Sequence, residues 1–275
     1  MPNSSRAFGI AAVGVIATAV VGHRARHTAP YSPELERFEL RLPPGINVPA
    51  RLRIGFVTDT HIGTVISPGD VERSLELVLA AKPDILLFGG DYISDSPRHI
   101  PVAADVLRNA ASSVRLGSIA VLGNHDYANG AGRITSEFEK RGIQVLRNEA
   151  TRVTDGLGEL WIAGIDDVML GTPDADRAFA NVPQNTRALA LWHEPDWADS
   201  AAQHGAFLQL SGHSHGGQIR LPVAGNIAAP AGGRRFVAGL NHASGMPVYT
   251  SRGVGVFRPP VRFRCPPEVT VITLV

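Results

Sequence analysis

A chain of 275 residues with a single cysteine, Cys265, can form no intrachain disulfide and no CxxC zinc site. Any metal it binds must be held by His, Asp, Glu or Asn. Charge of one sign is also scarce. Lys and Arg number 26 against 25 Asp and Glu, a net charge of +1. No basic stripe stands out, so the electrostatic footprint of a nucleic-acid binder is missing and no nucleic-acid partner is expected. The densest basic cluster, Arg252, Arg258, Arg262 and Arg264, reads as solvated surface. The glycines spell no Walker loop, and there is no GxSxG elbow. Internal repeats and long low-complexity tracts are absent.

What is present is a globular composition, 44% hydrophobic and 19% charged, with length enough for a sizeable core. The N-terminus stands apart. Residues 7–22, AFGIAAVGVIATAVVG, carry no charge, with Arg6 before them and HRAR after. The run is slightly short for a spanning helix of about 17–25 residues and long for a signal-peptide core of about 7–15. We read residues 1–27 as a membrane-targeting segment, either an uncleaved anchor or a signal, which makes the protein membrane-associated or exported. Residues 28–50 read as a linker and a first extended segment, and 51–275 as the functional domain.

From residue 51 the pattern alternates. Short apolar runs at 53–59, 84–91, 118–126 and 187–196 read as strands, as do IQVLRN, LWIAGIDD, AFLQLSGHSH, PVYTSRGVG and EVTVITLV. Segments 68–84, 100–114 and 134–142 read as helices, with Asp70 as a cap and Pro83 as a stop for the first. ADRAFANV and WADSAAQHG supply shorter helices. Continuous apolar strands separated by helices imply an α/β domain, more β-rich in its second half.

The ends of these strands carry the chemistry. The first ends in TDTHIG (Asp59, His61) and the second in GGD (Asp91). The third ends in GNHD (Asn124, His125, Asp126), a later one in WHEPD (His193), and the next in SGHSHGG (His213, His215). Sites in open α/β sheets form beyond the carboxyl ends of strands, and five strands deliver a metal-competent group there. Asp59, His61, Asp91, Asn124, His193, His213 and His215 make seven oxygen and nitrogen donors, a set that suits Mn, Fe or Zn. One ion would leave several donors unused, whereas two ions about 3.5–4 Å apart sharing a carboxylate would use all of them. Glycines 90, 123, 212, 216 and 217 permit the sharp turns required.

DTH, GGD, GNHD, a lone strand-end His and GHSHGG follow, in order, the motif series of the calcineurin-like metallophosphoesterases, which residues 51–275 resemble. The chain is most similar to the bacterial membrane-associated phosphodiesterase branch, including the tail SRGVGVFRPPVRFRCPPEVTVITL. It departs from the protein serine/threonine phosphatases, because Tyr92, Ile93 and Ser94 follow GGD and Asp126 stands where those enzymes usually have Glu. The resemblance implies a two-sheet α/β sandwich flanked by helices. It implies one divalent ion on Asp59, His61 and His215, a second on Asn124, His193 and His213, and Asp91 bridging them. A bridging hydroxide would attack phosphorus. His125 would protonate the leaving oxygen or stabilise the transition state, with Asp126 holding its ring in the working tautomer. The expected reaction is phosphodiester or pyrophosphate hydrolysis, with a lipid-linked phosphate among the candidate substrates. A phosphomonoesterase on the same site is one alternative, and a membrane-attached scaffold with an inactive site is another. Asp166 and Asp167 read as a strand-end turn or a substrate-facing pair. Arg252 reads as a surface residue or a phosphate contact. Tyr92 and Trp197 are candidate pocket walls.

Overall fold

The apolar runs become strands of two six-stranded sheets. The computed structural model describes residues 21–275 except 45, 47, 49, 50, 157, 223, 224, 227 and 228. The uncharged run at 7–22 therefore lies, save its last two residues, outside the described residues. Among the described residues no helix is long and apolar enough to cross a membrane.

The first sheet contains β1 (Glu34–Leu40), β2 (Arg53–Val57), β3 (Ile85–Phe88), β4 (Ser118–Ala120), β5 (Gln144–Val145) and β14 (Glu268–Leu274), in the order β1-β14-β2-β3-β4-β5. Strands β2 to β5 run parallel, and β14 is antiparallel to β2. The second sheet contains β6 (Glu149–Thr154), β7 (Glu159–Gly164), β8 (Ala188–Leu191), β9 (Ala206–Ser211), β12 (Gly239–Ala243) and β13 (Met246–Thr250), in the order β12-β13-β9-β8-β7-β6. Its four central strands are parallel and its edges antiparallel. Two short strands, β10 (Arg220–Leu221) and β11 (Gly225–Asn226), form a separate hairpin.

Alternation along each strand sorts side chains into three apolar layers. Ile54, Phe56, Ile85 and Leu87 of the first sheet meet Leu189, Leu191, Leu208 and Leu210 of the second between the sheets. The outer face of the first sheet, with Val57, Leu86 and Phe88, is covered by α1 (Pro68–Ala80), α2 (Ile100–Ala111) and α4 (Ala131–Glu139). The outer face of the second, with Ala190 and Val248, is covered by α5 (Ala175–Phe179) and α6 (Ala198–Gln203). A further short helix, α3 (Asn124–Asn129), follows β4. The result is a two-sheet α/β sandwich flanked by helices.

Boundaries moved where local chemistry was stronger than pattern. Ser67, not Asp70, is the N-cap of α1, and Asp70 completes its capping box. The helix stops at Ala80, ahead of Pro83, because the chain turns at Lys82 with φ 53°. The extended segment within 28–50 is β1, which pairs along its length with β14, so the sheet begins there. The third apolar run ends as a strand at Ala120, and its GNHD enters α3 directly. Strand β6 was missed because it is a largely exposed edge strand with a polar sequence.

Leu87 is fully buried between the sheets. Leu87→Ala is expected to cost about 2–5 kcal/mol through lost burial and the cavity left behind. Urea unfolding measures it, and a loss below about 1 kcal/mol would mean the layer closes over the gap.

Candidate metal centre

Because β2, β3 and β4 are parallel, as are β8 and β9, their carboxyl ends meet at one edge of the sandwich. The loops there turn at once, and five of the donors do so in a conformation that side chains rarely adopt. Asp59 has φ 53°, His61 48°, Asp91 56°, His213 66° and His215 49°. Left-handed backbone at a non-glycine residue costs about 1–3 kcal/mol and persists only where the surroundings over-determine it. Gly90 shares that conformation (φ 100°), and a Cβ on it would fall 2.7 Å from His193 Nδ1. Gly123 and Gly212 have ordinary backbone but no room, since a Cβ would collide with Asp91 and Asp59 respectively.

The side chains converge in overlapping groups. The donor atoms of Asp59, His61 and His215 lie within 4.8 Å of one another, and so do those of Asp91, His193 and His213. A third such group joins His61 and Asp91 to His125. Asp91 Oδ2 stands 3.6 Å from His61 Nε2 and 3.2 Å from His193 Nε2. His215 Nε2 is 3.0 Å from His61 Nε2 and 3.4 Å from Asp59 Oδ1. Asn124 Oδ1 is 3.1 Å from His213 Nδ1. All seven sequence-predicted donors are thus brought together.

Hydrogen bonds on the far sides of two rings show what the near sides want. His193 Nδ1 lies 2.7 Å from the Gly89 carbonyl, so its proton belongs there and a neutral ring presents its Nε2 lone pair to Asp91. His213 Nε2 lies 2.7 Å from the Ala231 carbonyl, which leaves its Nδ1 lone pair facing Asn124 Oδ1. Two acceptors buried face to face repel unless a cation lies between them. The donor set therefore fits divalent metal.

Electrostatics in the metal-free chain agree for three of the four rings. Burial pushes His61 down to about 3 and His213 to about 4, so both rings are neutral and ligand-competent near neutral pH. Burial lowers His215 as well. His193 is the exception. Burial opposes its protonation, but the charges of Asp91, Asp59 and Glu194 outweigh it and raise its affinity for a proton. That proton occupies the place a cation would take.

His125 follows Asn124 in the first turn of α3. Its backbone N–H donates to Asp91 Oδ1 (2.8 Å), and its ring packs edge-on against His61 with centroids 4.7 Å apart. It is only partly buried. Its Nδ1 faces the Ser94 carbonyl at 3.3 Å.

Asp126 departs from expectation. Its carboxylate accepts the backbone N–H groups of Asp91, Tyr92 and Gly123 at 2.8–2.9 Å, and it is fully buried. It fixes the loop that carries Asp91 and does not orient the His125 ring, because all of its bonds are made below α3. Burial and then the Asp91 charge push its carboxyl up to about 8, against the backbone donors.

Other candidates resolve as structural. Asp166 accepts from Tyr127 and from Thr172 N, and Asp167 from Leu170 N and Gly171 N, which makes the pair a strand-end turn. Arg252 is no free phosphate ligand, because Glu36 and Glu268 engage its guanidinium. Tyr92 is fully buried, with its hydroxyl on the Val121 carbonyl, while Trp197 is 39% exposed. Arg262, read as solvated, is fully buried. Sequence reasoning also missed Thr58, whose hydroxyl donates to Asp59, and the Gly253–Gly255 segment that lies on the Asp59 backbone. The glycines of SRGVG were the one available signal for that close approach.

A buried Asp/His centre at the strand ends of a two-sheet α/β sandwich defines a class of metal-dependent hydrolase. Residues 52–217 match the family model described as calcineurin-like phosphoesterase, and the chain belongs to that family. It is 31% identical over 275 residues to the uncharacterized metallophosphoesterase YkuE of Bacillus subtilis (strain 168), covering 97% of this chain and 94% of that one. It is 34% identical over 233 residues to the phosphodiesterase YaeI of Escherichia coli (strain K12), covering 82% and 83%. A Danio rerio transmembrane protein with metallophosphoesterase domain is 29% identical over 291 residues, covering 98% of this chain and 64% of that one. The protein is a hydrolase of a metal-dependent family that acts on phosphoesters.

Asp126→Ala would strand three buried N–H donors. It is expected to lower stability by about 3 kcal/mol or more, with Asp126→Asn recovering part of the loss. Urea unfolding of the two variants checks this. An unchanged midpoint for Asp126→Ala would show that the loop is held by other contacts.

Proposed function

We propose that the chain hydrolyses a phosphodiester with two divalent ions. Asp59, His61 and His215 hold one, Asn124, His193 and His213 hold the other, and Asp91 lies between them. The observation that carries this reading is the position of Asp91 Oδ2, flanked by imidazole nitrogens from both sheets. Ions bound there would neutralise the phosphate oxygens and acidify an attacking water. The chain's own residues do the rest. Gly89 and Ala231 fix the tautomers of His193 and His213 so that the ligand nitrogens stay free. Asp91 Oδ1 holds the His125 backbone, and the partly exposed His125 ring gives its proton to the departing oxygen. The amide of Asn124 adds a neutral ligand, which limits the site's negative charge and favours an anionic substrate.

The preference for a diester draws on the name of the E. coli relative. We read residues 7–22 as a membrane-targeting segment, a reading supported by the name of the zebrafish relative. A lipid-linked phosphate is the substrate class such a location favours.

The test uses protein stripped with chelator and resupplied with Mn²⁺, acting on bis-p-nitrophenyl phosphate and on p-nitrophenyl phosphate. Metal-dependent cleavage of the diester, with little of the monoester, is expected. Dominant monoester cleavage would make the protein a phosphomonoesterase, two bound ions with no turnover of either would point to a selective pocket, and no bound ions would refute the site assignment. His125→Ala should lower turnover about 10²–10⁴-fold with metal content unchanged. Asp91→Ala should lose metal and activity together, and retention of both ions would refute its bridging role.

A further inference from the structure

Arg262 is the largest fully buried side chain of the described residues, and none of them supplies a carboxylate at ion-pair distance from it. Its terminal nitrogens lie within hydrogen-bond distance of four backbone carbonyls: Arg252 (2.7 Å), Gly253 (3.0 Å), Gly255 (2.5 Å) and Cys265 (3.2 Å). Nε has no partner. Burial pushes the guanidinium down to about 10, which leaves it charged at neutral pH. A buried cation without a carboxylate partner is an expensive filler, and an apolar side chain would occupy the volume more cheaply.

The carbonyls it gathers belong to the segment that lies on the metal ligands. Val254 N donates to the Thr58 carbonyl (3.1 Å) and Gly255 N to the Asp59 carbonyl (2.6 Å). The approach is as close as backbone allows. A Cβ at Gly253 would fall 2.7 Å from Asp59 Cβ, and one at Gly255 would fall 2.7 Å from His61 Cβ. On the other flank, Cys265 Sγ sits 3.3 Å from the His215 carbonyl. Asp59, His61 and His215 are three of the left-handed residues whose backbone the surroundings must enforce.

We propose that Arg262 is a positioning residue for the ion held by Asp59, His61 and His215. By drawing the carbonyls of Arg252, Gly253, Gly255 and Cys265 onto one planar group, it presses that segment against Thr58 and Asp59 and keeps the three ligands in their strained conformation. The Arg262 guanidinium bonds to none of Asn124, His193 and His213; that position meets the clamped ligands through the His213 N–H bonds to Asp59 and so feels the clamp second-hand. The backbone N–H of Arg262 donates to the Ala25 carbonyl (2.9 Å), so the helical turns at 21–27 rest on the same clamp. The inference rests on the two-ion reading above.

The test is equilibrium Mn²⁺ binding to the full-length metal-free protein, with His215→Ala identifying which binding class belongs to this position. Arg262→Met is expected to weaken that class about 10–100-fold, the usual effect of removing an outer partner of a metal ligand, and to leave the other class within about twofold. Arg262→Lys, which can reach some of the carbonyls, should fall between. Leu107→Ala, buried on the outer face of the first sheet, serves as the stability control and should move neither class. Unchanged binding in folded Arg262→Met, or equal weakening of both classes, would overturn the proposal. If the Met variant fails to fold, Arg262→Lys decides, and unchanged affinity there overturns it. If the wild-type protein binds a single ion, the two-ion reading fails, and Arg262 is then judged on that ion's affinity.

Discussion

The structure depends on a confrontation of acceptors. Asp59 and Asp91 are buried among four imidazoles, and hydrogen bonds on the far sides of two of them, His193 and His213, turn their ligand nitrogens inward. Without a cation this is among the least favourable arrangements a protein interior can hold. Much of the surrounding architecture serves to maintain it. Parallel strands bring both sheets' carboxyl ends to one edge, glycines keep Cβ atoms out of the ligand shell, and Asp126 binds three N–H groups of the loops beneath.

The two sheets divide the work. The first supplies the carboxylates, through Asp59 and Asp91, together with His61 and the Asn124–His125 pair. The second supplies His193, His213 and His215. The sheets are tied across the site itself, since His213 N donates to both carboxylate oxygens of Asp59 and His193 Nδ1 lies 2.7 Å from the Gly89 carbonyl. The leucine-rich layer between them, well away from the ligands, sets the spacing at which those bonds can form. A change in that spacing reaches the site directly, because close-packed interiors transmit displacement.

Strain and polarity are concentrated together. Left-handed Asp59, His61, Asp91, His213 and His215 spend folding free energy that the apolar layers supply. The Asp126 and Arg262 side chains act as opposite clamps: a buried carboxylate gathers backbone donors under one set of ligands, and a buried guanidinium gathers backbone acceptors behind the other. Both are buried ionisable groups bonded to backbone and lacking an ion-pair partner among the described residues. The usual expectation that a buried charge implies a salt bridge would have overlooked them.

Some of this was legible in the chain alone. The donors could be found because each follows a short apolar run, and strand direction follows from that pattern. The sequence by itself determined the α/β alternation, the placing of seven candidate oxygen and nitrogen donors at strand ends, and the lack of a second cysteine, while the two-sheet sandwich followed from the family resemblance. What a residue bonds to across the fold is a different matter. Asp126 reads as a partner for the adjacent His125, yet its bonds go to residues 34 and 35 positions earlier and to its own N-cap. Arg262 reads as solvated by ordinary charge patterning, yet it is buried against carbonyls of a segment that folds back onto Asp59. Side-chain chemistry and strand period are local properties, and sequence carries them. The partner of a buried charge is set by which distant backbone groups the packed sheets leave unsatisfied, and only the tertiary structure decides that.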